Sequence, residues 1–203
     1  MSQSPTPTPT RGRPRTITPE RIVQAGMQIG LPGMTFVGMA SALGVSHMAL
    51  YKHVPSLEEL KRFVAAEIFA RWHMPAPGDA PSLRDYLLAF THSLRALAKA
   101  HPGLAPYLIR RSTATPAMTA RIEEHHAQVA RVFGIARAKA RQTLVMVAFH
   151  CIAVADTVYA TPDAPHASCE ENSADSAEIE AEFETGMRAL IAGALLQIES
   201  ETG

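Results

Sequence analysis

Met39-Ala40-Ser41-Ala42-Leu43-Gly44-Val45-Ser46-His47-Met48-Ala49-Leu50-Tyr51-Lys52 is the stretch on which the fold turns. Two helices that cross steeply need a small residue where they touch, a glycine between them and apolar residues behind the second. Ala40, Gly44 and Leu50 meet those needs, with Leu43 and Val45 filling the shared core. An ordinary three-helix bundle has a glycine between helices just as often, so the frame alone leaves both readings open. With Val45 and Leu50 turned inward, Ser46, His47, Ala49 and Lys52 line the outer face of the second helix. Small and polar residues near a helix N-terminus can enter a major groove and reach base edges. Tyr51, Lys52 and Lys61 are placed to meet phosphates, with the start of the next helix adding its dipole.

Helical signals extend in both directions. Thr18 can cap a first helix, with Pro19 at its first position and Glu20 near the positive end of the dipole. Ile22, Ala25, Gly26 and Ile29 repeat at helical spacing until Leu31-Pro32-Gly33 breaks the pattern. A second helix follows Thr35 through Phe36, Met39, Ala40 and Leu43. Val54-Pro55 stops the third, and Ser56 with Glu59 opens a fourth through Leu60, Val64, Ile68 and Trp72. Pro75, Pro77, Gly78 and Pro81 form a linker. Further helices are predicted over 82–100, 104–111, 116–133, 137–159 and 177–199, with residues 160–176 as an exposed acidic loop. No segment alternates with period two, so the fold class is all-α.

Residues 18–69, about a quarter of the chain, resemble the DNA-binding domain of the tetracycline-repressor (TetR) family. The resemblance is carried by Met39 to Ser46, by Leu50-Tyr51-Lys52-His53-Val54 and by Ser56-Leu57-Glu58-Glu59-Leu60. It implies that Thr35 and Tyr51 hold phosphates, and that Lys61 does so near the start of the fourth helix. It departs at Val54, where the family commonly has an aromatic. It also implies an N-terminal helix-turn-helix domain followed by a helical domain for effector binding and dimerisation. The chain is accordingly expected to divide into a disordered basic Pro/Thr-rich arm at 1–16, a DNA-binding domain at 17–73 and an effector domain at 74–203. The implied function is a homodimeric repressor that binds a palindromic double-stranded operator and responds to a small-molecule effector. An activator with the same DNA chemistry is an alternative. A metal- or ligand-sensing protein with a non-standard head is another, and Tyr51, Lys52 and Lys61 argue against it. Body sequences diverge in this family, so no effector residue is carried over.

Charge is distributed to match. The 203 residues hold 19 Lys plus Arg and 19 Asp plus Glu, yet residues 1–65 carry 7 basic and 3 acidic side chains. A neutral total therefore covers a basic head on an acidic body. Arg11-Gly12-Arg13-Pro14-Arg15 resembles an AT-hook core. Such an extended segment is thin enough for a narrow minor groove, where arginine meets enhanced negative potential. A solubilising arm that touches phosphates without preference is the other reading of Arg11, Arg13 and Arg15. The two cysteines, Cys151 and Cys169, suit a reducing cytoplasm. Met1 to Thr10 has no apolar core of a secretory signal. The longest apolar run, Leu144 to Tyr159, contains His150 and Asp156 and has 16 residues, short of the roughly 18–20 a membrane span needs. The expectation is a cytoplasmic, nucleoid-associated protein with no membrane partner.

Leu144 to Tyr159 is apolar on almost every face and needs cover on all sides. The last helix offers a complement, with Gly186, Ala189 and Gly193 allowing close approach. Val147, Val154, Gly186, Leu190, Gly193 and Ile198 are the candidate dimer contacts, against the alternative that both helices are central in a monomer. A dimer is favoured because one helix-turn-helix reads few bases. Phe90, His125, Phe149 and His150 could line an apolar cavity with polar handles, although core packing accounts for them equally. Adjacent helical residues such as His125 and His126 diverge by about 100° and cannot converge on one metal ion. No His-x-x-x-His, Cys-x-x-Cys, Gly-x-Ser-x-Gly or phosphate-binding glycine loop occurs. No catalytic residue, metal or cofactor is expected.

Overall fold

Hydroxyl side chains set where the helices begin. In a computed structural model, which describes residues 17–159 and 171–200, Thr18, Thr35, Ser46, Ser56, Ser82 and Thr115 each accept a hydrogen bond from the backbone N–H three residues on. Each such cap contributes about 1 kcal/mol and orients the first turn. The resulting elements are α1 (Pro19–Ile29), α2 (Phe36–Leu43), α3 (His47–Tyr51), α4 (Leu57–Arg71), α5 (Leu83–Ala100), α6 (Ala105–Ile109), α7 (Pro116–Phe133), α8 (Arg137–Tyr159) and α9 (Glu171–Ser200). A single 3₁₀ turn, Pro77–Asp79, interrupts the expected linker, and the described residues contain no strand.

Two boundaries differ from expectation. Helix α9 starts at Glu171, so residues 171–176 are helical and not part of a loop; residues 160–170 lie outside the described residues. Its early start follows from the absence of Pro or Gly between Glu171 and Thr185, since a run without breakers lets a helix extend over polar residues once its later turns are packed. Helix α6 is shorter than predicted, because Leu104 has no side-chain cap bond and the chain turns extended at Arg110.

The head, α1 to α4, closes on Met39, Leu43, Leu50, Leu60 and Val64, all at most 1% exposed. Gly44 sits at φ 68° and ends α2 in the left-handed region, where a side chain would be strained. Val54, the departure from the family pattern, is buried in this core. In the body, α8 is the central helix, with α5, α6, α7 and α9 packed against it. Arg137–Val158 is long and apolar enough to cross a membrane by composition, but here Leu144, Val147, Cys151, Ile152 and Ala155 are buried within the protein. Helix α9 seats on α5 through an ion pair of Arg95 with Glu180 and through the Arg95 guanidinium 5.0 Å above the Phe183 ring.

Head and body share one continuous buried cluster, from Ile22 to Ile191. Arg121 of α7 donates to the carbonyls of Phe69, Ala70 (3.0 Å) and Trp72 (2.6 Å) at the end of α4. Trp72 Nε1 donates to Ser93 Oγ of α5 at 2.8 Å. The Tyr107 hydroxyl of α6 donates to Glu58 Oε2 at 3.3 Å. The turn after α5 closes on the loop after α1, where a Cβ at Gly103 would lie 3.3 Å from Pro32 Cγ.

Candidate nucleic-acid interface and effector cavity

The outward face of the head is built around α3. Leu50 is fully buried and locks the short helix down, which leaves His47, Met48, Tyr51 and Lys52 exposed and Ala49 half-buried. The Tyr51 ring stacks on Phe36 with centroids 4.2 Å apart and planes 4° from parallel, and His47 meets its edge at 6.0 Å. An aromatic pair of this kind contributes about 0.5–1.5 kcal/mol beyond its area, so Tyr51 is held although it is 45% exposed. Because Phe36 follows Thr35, the stack brings Tyr51 beside the start of α2. Thr35 and Ser46 are both caps, accepting from Gly38 N at 3.0 Å and Ala49 N at 3.2 Å. Each oxygen thus already accepts one bond and keeps its second lone pair and its O–H to offer outward.

The head's cations divide into two kinds. Arg21 donates to the Leu43 carbonyl at 2.6 Å and so holds the end of α2, while Arg62 pairs with Glu59 at 3.1 Å. Among the described residues Lys52 and Lys61 have no ion-pair partner, Lys52 exposed and Lys61 half-buried near the start of α4. Arg11, Arg13 and Arg15 lie outside the described residues. Sequence reasoning passed over Val37, 73% exposed on α2, and Met48, 60% exposed on α3. The available signal was their position off the apolar stripe: each is a large apolar residue where the helical spacing calls for a polar one. Apolar side chains of this kind can meet thymine methyl groups.

A cavity of about 110 Å³ lies in the body directly behind α4. Phe69, Trp72 and Met74 from the end of α4 and the chain just after it form one wall. Phe90 of α5, Ile122, His125 and His126 of α7, and Leu144, Ala148 and Phe149 of α8 form the others. Phe90, His125 and Phe149 are therefore brought together. His150 is not; it lies on the opposite side of α8, its Nδ1 donating to Met146 O at 3.1 Å. There it lines a separate groove with Val154, Ile179, Gly186 and Leu190. His125 Nε2 is hydrogen-bonded to the Tyr86 hydroxyl. Burial, with smaller contributions from the charges at His126 and Arg121, holds its imidazole down to about 4, and burial likewise lowers His126. Burial raises the Tyr86 phenol well above its ordinary value. All three groups are uncharged at neutral pH.

The proposed dimer contacts fall on two sides. Val147 is fully buried in its own chain's core and is unavailable to a partner. Its side chain faces inward because it falls on the same turn-spaced stripe as Leu144 and Cys151, both buried. Val154 is 41% exposed, Gly186 and Gly193 are exposed, and Leu190 and Ile198 are half-buried. A Cβ built on Gly186 or Gly193 meets nothing within 4 Å, so neither glycine is required by the packing of the single chain. Ile179 and Leu196 extend this exposed apolar surface along α9.

The chain is thus a helix-turn-helix head joined by a shared helix to an all-helical body. No family model matches the chain. It is 33% identical over 100 residues, 47% of its length, to the HTH-type transcriptional repressor DrrR1 of Streptomyces coeruleorubidus, and covers 37% of that protein. It is 32% identical over 99 residues, 43% of its length, to the class D tetracycline repressor protein of Escherichia coli, covering 45% of it. The chain thus spans less than half the length of these curated relatives. The fold is similar over far more of its length. The TetR family protein ActR of Streptomyces coelicolor, in complex with actinorhodin, superposes with a TM-score of 0.70 at 22% identity, over 90% of this chain and 97% of that one. A TetR variant from Acinetobacter baumannii AYE in complex with minocycline gives 0.67 at 18% identity, over 88% and 96%. The matched part of the chain is thus similar in sequence to proteins named as repressors, and the chain as a whole is similar in fold to TetR-family structures.

Proposed function

We propose that the chain is a homodimeric, ligand-responsive transcriptional repressor that binds a roughly palindromic operator. The observation that carries this reading is the double role of α4. Its first turns pack the reading head through Leu60 and Val64, and its last turn supplies Phe69 and Trp72 to the wall of the body cavity. A molecule entering the cavity therefore touches the helix on which the reader rests.

In this reading residues 1–16 are a basic arm, 17–73 the DNA-binding domain and 74–203 the effector and dimerisation domain. Each α3 enters a major groove, with His47, Met48 and Ala49 toward base edges. Tyr51, Thr35, Lys52 and Lys61 hold phosphates, and Arg11, Arg13 and Arg15 follow the adjoining minor groove. The exposed apolar surface of α8 and α9 joins two copies, which sets the two heads about 34–36 Å apart, one turn of DNA. The protein acts in the cytoplasm at the nucleoid. Relatives with this fold hold minocycline or actinorhodin, which supports an effector role for the body. Footprinting across genomic DNA tests the reading: a symmetric protected site about two half-sites wide is expected, and protection absent at every site overturns it.

A further inference from the structure

The outer face of the head lacks every side chain that makes a two-bond fork with a base. Between Met34 and Tyr51 the chain has no Arg, Lys, Asn or Gln and no carboxylate. Arginine or lysine on guanine, and asparagine or glutamine on adenine, are the pairings that read those bases by paired hydrogen bonds. Lys52 comes only at the C-cap of α3, past the residues near the helix N-terminus that reach base edges. His47 and a few hydroxyls remain for single hydrogen bonds, and the oxygens of Thr35 and Ser46 each already accept a cap bond.

What the face offers instead is apolar. Val37 is 73% and Met48 60% exposed, more than any other large apolar side chain of the head. The aromatic stack gathers them: Phe36 lies on Tyr51 at 4.2 Å and His47 meets that ring at 6.0 Å, and Val37 and Met48 each directly follow one of those ring residues. An apolar residue exposed singly needs no explanation. Two of them beside Lys52 and Lys61, which have no ion-pair partner among the described residues, suit a polyanion that also carries apolar groups. The major groove of a duplex is such a surface, because thymine presents its C5-methyl group there.

We propose, resting on the DNA-binding reading above, that Val37 and Met48 read thymine methyl groups, so that thymines more than guanines set the site. The experiment selects bound sequences from a randomised double-stranded DNA library with the full-length protein. Thymines of the selected site are then replaced one at a time by deoxyuridine, which lacks only the methyl group. At one or two thymines in each half-site the replacement is expected to weaken binding about three- to fourfold, the worth of one buried methyl. Changing the same thymine in both half-sites should cost about tenfold. Val37→Ala should remove the loss at one thymine and Met48→Ala at another, each leaving affinity for the deoxyuridine site within about twofold of the wild type. Both side chains are exposed, so circular dichroism should show both variants folded. A protected site at which deoxyuridine costs nothing at any thymine overturns the proposal and leaves the DNA-binding reading standing. A deoxyuridine loss that survives both alanine variants does the same, since it then belongs to the shape of the DNA. So do variants that alter the oligomeric state and not the deoxyuridine loss, which would make the patch a contact between proteins. A library without any enriched sequence, together with no protected duplex, overturns both readings.

Discussion

Replacing Arg121 with methionine removes the guanidinium that closes the end of α4 while keeping most of the packing. Three carbonyls, those of Phe69, Ala70 and Trp72, lose the guanidinium's hydrogen bonds, although that of Phe69 still accepts from Trp72 N at 3.3 Å. The Phe69 ring also loses a cation whose centre lies 5.3 Å from its centroid. A cation at a partly buried helix C-terminus contributes up to about 2 kcal/mol, and a cation–π contact about 0.5–1 kcal/mol. The half-buried position of Arg121 keeps the sum near the middle of the range, about 2 kcal/mol, and not at the three separate hydrogen bonds' full worth. For a chain of this length each kcal/mol moves the midpoint by about 2–4 °C, so Tm should fall by roughly 4–8 °C. Urea unfolding should show a lower midpoint at unchanged slope. Arg121→Lys should recover about half, because one ammonium cannot span three carbonyls as a planar fork does. A loss below about 0.5 kcal/mol in the methionine variant, or full recovery by lysine, would refute the clamp.

Tyr51→Ala and Lys61→Ala should weaken binding to all DNA sequences, and Lys61→Ala should reduce the salt slope by about one; His47→Ala should instead change sequence preference, which equal losses on specific and random DNA would contradict. Gly193→Arg should leave the chain folded by circular dichroism, since nothing lies within 4 Å of the new Cβ, while sedimentation should show monomers without operator affinity; a dimer that persists removes this face from the interface. His125 has a folded value of about 4 against about 6.5 unfolded, so the unfolded chain binds the extra proton between them. Its contribution to stability is therefore complete above about pH 6.5 and is lost as pH falls toward 4, with a slope of at most about 1.4 kcal/mol per pH unit. His125→Phe should flatten the urea midpoint between pH 6.5 and 5 relative to the wild type, and two parallel profiles would show that His125 does not titrate there.

Local chemistry was legible in the sequence, and long-range geometry was not. The Ser/Thr caps and the Gly44 turn announce themselves because both partners lie within a few residues, so helix starts at Pro19, Phe36 and Leu57 follow from spacing alone. The outer face of α3 was legible for the same reason: Val45 and Leu50 fix which side is inward. Arg121 gave no such signal, since its carbonyl partners are about fifty positions earlier and any arginine on a helix looks solvated in isolation. His150 and Phe149 differ by one position, yet one faces the cavity and the other the outer groove. In a helix that is apolar all round, periodicity cannot say which side is inside. Val147 was misplaced among the dimer contacts by the same ambiguity.

The seam between Gly103 and Pro32 bears on how such proteins can be recombined. Gly103 has φ +78°, and a Cβ there would crowd Pro32 and lie in ordinary contact with Leu31 from the loop after α1. The reading head is thus moored to its own body at a point remote from α4 along the sequence. Exchanging heads between relatives by cutting near Pro75 would carry Leu31 and Pro32 to a body whose matching turn was shaped for a different loop. If the chain is the repressor proposed above, a transplanted head would keep its operator sequence but sit on a misfitted mooring, and repression and induction would part company. Moving residues 101–104 with the head restores the pair, so the exchangeable module is discontinuous in sequence.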